Sequence, residues 1–474
     1  MTVVGASLAG LSAVRALREQ GYDGRVTVVG DEPHLPYDRP PLSKGFLTGA
    51  VDENALHLLG EQDDALDVTW RLGTAAVRLD PGRHAVLLAD GDEVVSDAVV
   101  LATGSRARTL PGELPRTGVH VLRTLDDARA LRDDLARSSS LVVVGGGFIG
   151  AEVASSARSA GLEVTVLEAQ DAPLQGPLGA AMGEAVGRLH GDHGVHLRTG
   201  VGVAGLLGRE RVEQVELLDG ARLDADLVVV GVGAAPEVGW LAGSGLDTAG
   251  GVLTDARGAT AAPGVVAVGD CARSYDVHAG RPLRAEHWTH ALQQPASAAA
   301  ALLGVDAPYT AVPYVWSEQY GVHVQLAGRP ERGDAVTVVH GSVEDRSFVA
   351  TYERAGELVA VLGLAAPGPF GKQRRRLRAA AAERLARRTP TARSAHPSGT
   401  GFGSRRTRSH TATPAASGAA RPASVSRPTG GRVVCARARS GAVSPRPAPS
   451  AGPVRRSEER RVGKECRSRW SPYH

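Results

Sequence analysis

Cysteine is scarce in this chain. Cys271, Cys435 and Cys466 are the only three in 474 residues, and none stands in a C-x-x-C pair. Neither a disulfide framework nor a zinc site is indicated, and a reducing cytoplasm is expected. No apolar run approaches the length of a membrane span, so none is expected. Thr2–Leu17 is apolar but lacks the basic n-region of a signal peptide, and its glycine spacing explains it better. His57, His84 and His120 have no partner spacing for a metal and read as solvent-facing or packing histidines, so no metal site is expected. Lysine is nearly absent from residues 1–370, where Lys44 stands against 28 arginines. An ammonium, unlike a guanidinium, is a compact point charge that shifts its pKa in a partly buried site, and this marks position 44.

Acid and base are unevenly spread. The formal charge of +3 divides into −18 over residues 1–370 and +21 from residue 371 onward. An acidic body, long enough for two to three domains, is thus joined to a basic tail. From Thr389 the chain has no helical or strand period and almost no large apolar residues, so it cannot offset its ordering entropy and is expected to be disordered. Its Arg-Ala-Pro-Ser-Gly bias is that of a GC-rich frame read out of phase. The final stretch, Arg456–His474, resembles a translated sequencing adapter. Residues 389–474 are therefore expected to be a frameshift followed by adapter read-through. The competing reading is an arginine-rich arm for nucleic acid or for an acidic partner.

Pro36–Gly45, PYDRPPLSKG, is a loop stiffened by Pro36, Pro40 and Pro41 and expected to be neither helix nor strand. It lies inside a nucleotide-binding pattern. Val3-Val4 ends a strand expected to begin before Met1. Gly5-Ala-Ser7-Leu-Ala9-Gly10 follows, with Ser7 in place of the middle glycine, then a helix with Leu8, Leu11, Val14 and Leu17 on its apolar face. Arg25–Val29 reads as a buried strand. It leads to Asp31-Glu32 about 20 residues past the glycines, where one carboxylate or the other takes the ribose hydroxyls. Val94–Ala102 reads as one buried strand. It ends in Ala102-Thr103-Gly104, which locally is either a strand-ending turn or the close of a dinucleotide half.

A helix over Asp126–Leu135, capped by Asp126 or Thr124, precedes the apolar strand Leu141–Val144. Gly145-Gly-Gly147-Phe-Ile149-Gly150 is a full G-x-G-x-x-G opening a helix, and Val164–Leu167 ends in Glu168. This unit spans 28 residues and places a second dinucleotide 140 residues after the first. A carboxylate at Glu168 accepts from a ribose 2′-OH and repels a 2′-phosphate, which favours NADH. Further on come the strands Leu227–Val230 and Gly264–Val268, a helix over Glu286–Ala301, strand-rich segments over Val312–Ala327, Val336–Ala350 and Leu358–Leu364, and a helix over Lys372–Arg388. Cys271 reads as a small buried residue.

VVGASLAG, VVGDEPHLPYDRPPLSKGFL, VLATGSRAR, VVVGGGFIGAE, VVAVGDCA and PYVWSEQYG occur in this order between Thr2 and about Arg388. Together they resemble the FAD-dependent NADH:ferredoxin reductases that serve Rieske dioxygenases and some cytochromes P450, putidaredoxin and rubredoxin reductases among them. The resemblance implies an α/β fold of two Rossmann-like, glutathione-reductase-like domains and a small C-terminal α+β domain. Residues 1–110 and 237–303 would bind FAD, 111–236 NAD, and 304–388 would be the C-terminal domain. It implies FAD and NAD as cofactors. A small [2Fe-2S] ferredoxin or rubredoxin-type protein would be the acceptor, with no nucleic acid and no membrane as partner.

As cofactor-binding residues the resemblance points to Gly5, Ser7, Ala9, Gly10, Asp31 or Glu32, Arg39 and Lys44. Further along it points to Val77 near adenine, Ala102, Thr103, Gly104 and Arg123. In the second unit it points to Gly145, Gly147, Ile149, Gly150, Glu168 and Gly233. Toward the C-terminus it marks Asp270 for the ribitol and pyrophosphate end of FAD, with Trp288 and Trp316 beside the flavin. It also implies a Lys44–Glu152 pair across a domain interface as the catalytic charge pair. Disulfide reductases of this fold carry a C-x-x-x-x-C facing the flavin, and NADH oxidases and coenzyme A disulfide reductases carry one cysteine near Leu42-Ser43-Lys44. This chain has neither, so electrons must leave for an external acceptor. An NADH oxidase or quinone reductase using a diffusible acceptor is the alternative within enzymes, and a nucleic-acid-binding protein acting through the basic tail is the alternative outside them.

Overall fold

The computed structural model of the chain describes residues 1–388. The expected disordered tail and its frameshift-and-adapter origin lie outside the described residues. Short valine-rich runs behind the glycine turns form two sheets, as buried parallel strands require. In the first, five parallel strands lie in the order Val265–Ala267, Val99–Leu101, Thr2–Val4, Val26–Val29, Val68–Arg71. The second has the order His196–Arg198, Glu163–Leu167, Ser140–Val144, Val228–Val230, Val119–His120, again all parallel. The chain leaves the first sheet through Ser105–Ala107 and returns through Ala234–Pro236, and these two crossover strands pair antiparallel.

The helix Leu8–Glu19 buries Leu8, Leu11, Val14 and Leu17, with Leu11 and Val14 packed against Val3, Val28 and Val100 of the first sheet. Ala16 and Leu17 meet Ala299 of the helix Trp288–Leu302, where small side chains let the two helices approach closely. The helix Leu125–Leu135 is capped by Thr124, whose side chain accepts from Asp127 N at 3.1 Å while the Asp127 carboxylate accepts from Thr124 N at 2.8 Å. This settles the choice between Thr124 and Asp126.

The C-terminal part is a five-stranded antiparallel sheet in the order Tyr314–Gln319, Val322–Gly328, Glu357–Leu364, Ser347–Arg354, Ala335–Ser342. Phe370 and Leu377 of the helix Pro367–Arg388 cover one face against Ala327, Val349 and Val361. Leu178, Met182, Val186 and Leu189 pack on the other, against Phe348, Tyr352 and Leu362. The first two strands turn at Tyr320-Gly321, both at positive φ (55° and 74°), the backbone that two-residue hairpin loops favour. Tyr320 is held in that strained conformation by contacts outside its own sheet. Its N–H donates to Ser155 Oγ at 2.7 Å, its hydroxyl pairs with His190 Nδ1 at 2.7 Å, and its ring stacks on His193.

Three readings of the sequence are corrected. Val94–Ala102 is two strands, Glu93–Val95 and Val99–Leu101. The first pairs antiparallel in a small sheet with Ala85–Leu88, and the chain crosses at Ser96–Ala98 into the parallel sheet. A run of β-formers therefore serves two sheets. The proline loop contains a 3₁₀ turn, Pro40–Ser43, because the two prolines at its start preset φ for it. The last helix begins at Pro367 rather than Lys372, with the proline at its first position. Among the described residues no helix is long and apolar enough to cross a membrane.

Candidate functional site

Both glycine motifs form turns that only glycine allows. Gly5 has φ +122°, and a Cβ there would lie 2.1 Å from Ala102 O; one at Gly10 would lie 1.9 Å from Gly5 O. At the second motif, Gly145 has φ +108°, and a Cβ at Gly150 would lie 2.1 Å from Gly145 O. Each helix is thereby drawn onto its strand with its first N–H groups at the strand end. No atom lies within 4 Å of a Cβ built at Gly147. The backbone there is open to close approach, which fits a pyrophosphate seated on the helix Phe148–Ser159. Glu168, at the end of the adjacent strand, is buried, and its carboxylate accepts from Gly146 N and Gln170 N, both at 2.8 Å.

The other predicted residues gather mostly around the first sheet. Arg39 donates to Glu32 Oε1 at 2.7 Å, to Ser7 Oγ at 3.3 Å and to the Arg123 carbonyl at 2.6 Å. Glu32 also accepts from the Tyr37 hydroxyl at 2.5 Å, while Asp31 is exposed and accepts from the Glu32 N–H at 2.9 Å. Arg123 and Ser105 both donate to Asp270 Oδ2, at 2.8 and 3.0 Å. Thr103 Oγ1 donates to the Glu237 carbonyl at 2.6 Å, and Gly104, at φ +69°, accepts from Glu237 N at 3.0 Å. Ala102 and Ala9 are buried beneath the glycine turn, and a Cβ at Gly269 would meet the Ala9 methyl at 2.9 Å. A ring of arginines and carboxylates above an open helix terminus fits the phosphates and hydroxyls of FAD. Gly233, at φ +104°, immediately precedes the return crossover strand, and its carbonyl accepts from Arg108 N. Val77 and Ile149 stand apart from these networks, with 44% and 42% of their surface exposed.

Lys44 and Glu152 stand 108 residues apart in the chain, yet they meet: Lys44 Nζ lies 2.7 Å from Glu152 Oε2. Ser43 Oγ donates to the same oxygen at 2.5 Å and Ser317 Oγ to Glu152 Oε1 at 2.6 Å. The three donors come from the Pro40–Ser43 turn and its cap, and from the C-terminal sheet. Nearby, Trp288 Nε1 donates to Asp38 Oδ1 at 2.7 Å, and the Trp288 and Trp316 rings meet edge to face at 5.6 Å. Burial pushes the Asp38 carboxyl up, against the Trp288 N–H and the Lys44 charge. Sequence reasoning missed Asp38, Ser43 and Ser317. The only signal for the first two was their place beside Arg39 and Lys44, and for Ser317 its place beside Trp316.

Cys271 is the one cysteine among the described residues. It is fully buried, its thiol pointed at the Leu101 and Val268 carbonyls, and burial pushes its pKa up.

A family model described as pyridine nucleotide-disulphide oxidoreductase matches residues 1–295, and one described as reductase C-terminal matches residues 314–392. The chlorobenzene dioxygenase ferredoxin reductase component of Cupriavidus sp. (strain PS12) is 39% identical over 389 residues, 82% of this chain and 94% of that protein. Rhodocoxin reductase of Rhodococcus erythropolis is 40% identical over 354 residues, 73% of this chain and 82% of that protein. Among solved structures, the covalent putidaredoxin reductase–putidaredoxin complex matches with a TM-score of 0.76 at 33% identity, over 80% of this chain and 92% of that one. The chain belongs to the pyridine nucleotide-disulphide oxidoreductase family and, within it, to the FAD-dependent ferredoxin reductases.

Proposed function

We propose that this protein carries electrons from NADH to a small [2Fe-2S] ferredoxin or rubredoxin-type protein that supplies an oxygenase. We assign FAD to residues 1–110 and 237–303, NADH to 111–236, and a C-terminal reductase domain to 304–388. FAD, when bound, takes a hydride from NADH and releases electrons singly to an acceptor. The residues around it bind, orient and hold charge. The helix termini after Gly5 and Gly145 take the two pyrophosphates, and Arg39, Arg123 and Asp270 order the FAD end. Glu168 accepts from the NADH ribose. Lys44, anchored by Glu152, provides a positive charge where negative charge develops on reduction.

The observation that carries the choice of acceptor is Cys271. Its thiol is sealed in the core, so no cysteine among the described residues is placed to relay electrons from a flavin. Electrons then leave for an external acceptor. The putidaredoxin complex of a relative supports an iron–sulfur partner. The same cysteine usage supports a place in the cytoplasm. The test is NADH-dependent reduction of cytochrome c with and without an added [2Fe-2S] ferredoxin. Turnover that requires the ferredoxin is expected; equal turnover without it would favour an oxidase or quinone reductase.

A further inference from the structure

We propose that Ser43 and Ser317 are positioning residues that make the Lys44–Glu152 ion pair reversible. Glu152 is 5% exposed, fixed on the helix Phe148–Ser159. A buried carboxylate with a single cationic partner holds that partner fast, because separation leaves a dry, unpaired charge. Glu152 is built differently. Each of its oxygens has a hydroxyl donor of its own: Ser43 on Oε2 at 2.5 Å and Ser317 on Oε1 at 2.6 Å. Gln319 Nε2 donates to Ser317 Oγ at 3.2 Å. A serine hydroxyl has one proton, so this contact leaves it for Glu152. Ser43, Ser317 and Gln319 are themselves buried, at 4%, 0% and 1% exposure. These donors stay with the carboxylate when the ammonium moves away.

The cation is the movable member. The Lys44 side chain is 22% exposed on a flexible stem, and its Nζ has a second acceptor, the Pro40 carbonyl at 3.0 Å. The fixed anion is therefore solvated by protein hydroxyls, and the mobile cation can answer negative charge appearing on the bound flavin and then return. One of the two hydroxyls belongs to the C-terminal sheet, on the strand that carries Trp316. The seating of that sheet thereby sets how freely Lys44 moves. This inference rests on the reading of Lys44 as the flavin-facing cation.

The test is a double-mutant cycle on the FAD-loaded full chain, Lys44→Met, Ser317→Ala and both, read by thermal melting. With Ser317 present, loss of Lys44 leaves Glu152 two donors; with Ser317 gone it leaves one. The double variant is expected to melt at least about 3 °C below the sum of the single losses. If the double variant fails to fold, Lys44→Gln replaces Lys44→Met in the same cycle. In rapid mixing, Ser317→Ala is expected to slow flavin reduction by NADH about tenfold at unchanged NADH affinity, because the carboxylate then grips Lys44. Ser317→Thr, which keeps the hydroxyl, restores both. Additive melting losses, or a normal reduction rate in Ser317→Ala, would overturn the proposal. The flavin role of Lys44 stands or falls separately, on the reduction rate of Lys44→Met alone.

Discussion

Arg123 donates to Asp270 at 2.8 Å across 147 residues of chain. The bond joins the link between the second sheet's edge strand, Val119–His120, and the helix Leu125–Leu135 to the turn after the first sheet's edge strand, with Ser105 on the same carboxylate oxygen and Arg39 on the Arg123 carbonyl. Removing the carboxylate leaves the Arg123 guanidinium only the Ser105 carbonyl, at 2.9 Å, and opens the arginine ring that fits FAD. Protein ending at Arg388 should be yellow with about one FAD per chain by absorbance, and Asp270→Ala should lose most of it. A colourless, folded protein that cannot be reconstituted with FAD would refute the assignment.

Glu168 is proposed to govern coenzyme choice. Its buried carboxylate is held in place by two backbone N–H groups and repels a 2′-phosphate. kcat/KM should favour NADH over NADPH by at least about tenfold, ~1.4 kcal/mol. Equal use of both coenzymes would mean that Glu168 does not face the ribose.

Glu152→Leu removes the acceptor of three donors at once. Ser43 and Ser317 lose the carboxylate they donate to, although Ser43 Oγ still reaches the Pro40 carbonyl at 3.4 Å and Ser317 Oγ still accepts from Gln319, while Lys44 keeps the Pro40 carbonyl and some solvent. A loss toward the lower end of the roughly 3–5 kcal/mol range for broken buried pairs is expected in denaturant unfolding. An unchanged midpoint would show that the network carries no stability.

Burial pulls the His190 imidazole down to about 4, with His193 adding to the shift. Its folded-state pKa lies below the ordinary value of 6.5, so the unfolded chain binds more protons between these values. Stability from this site is present above about pH 6.5 and is lost as pH falls toward 4. The melting temperature should drop across that window, and His190→Gln should flatten the drop. A slope identical in the variant would assign the acid sensitivity to other groups.

The segment from Thr389 to His474 is proposed to be a frameshift followed by adapter read-through. Its deletion should leave FAD content and NADH oxidation unchanged, and resequencing the gene should give a different ending. A loss confined to ferredoxin-dependent turnover would instead identify an arm that binds the acceptor.

Local spacing was enough to read both nucleotide motifs, because a glycine turn, a helix terminus and an acid one strand later lie within about 30 residues and obey short-range sterics. The scarcity of lysine likewise marked Lys44 before any fold was known. Tertiary structure decided what depends on which elements touch. Val94–Ala102 has the composition of one strand, yet the chain divides it between two sheets at Ser96–Ala98. Asp31 and Glu32 are equivalent in sequence, and packing leaves Asp31 exposed while joining Glu32 to Arg39 and Tyr37. Ser317 carries no signal of its own. It acquires one only because the C-terminal hairpin brings it to Glu152, 165 residues away in the chain. Periodicity and turn chemistry act over a few residues, whereas the partners of a buried charge are set by the packing of whole sheets.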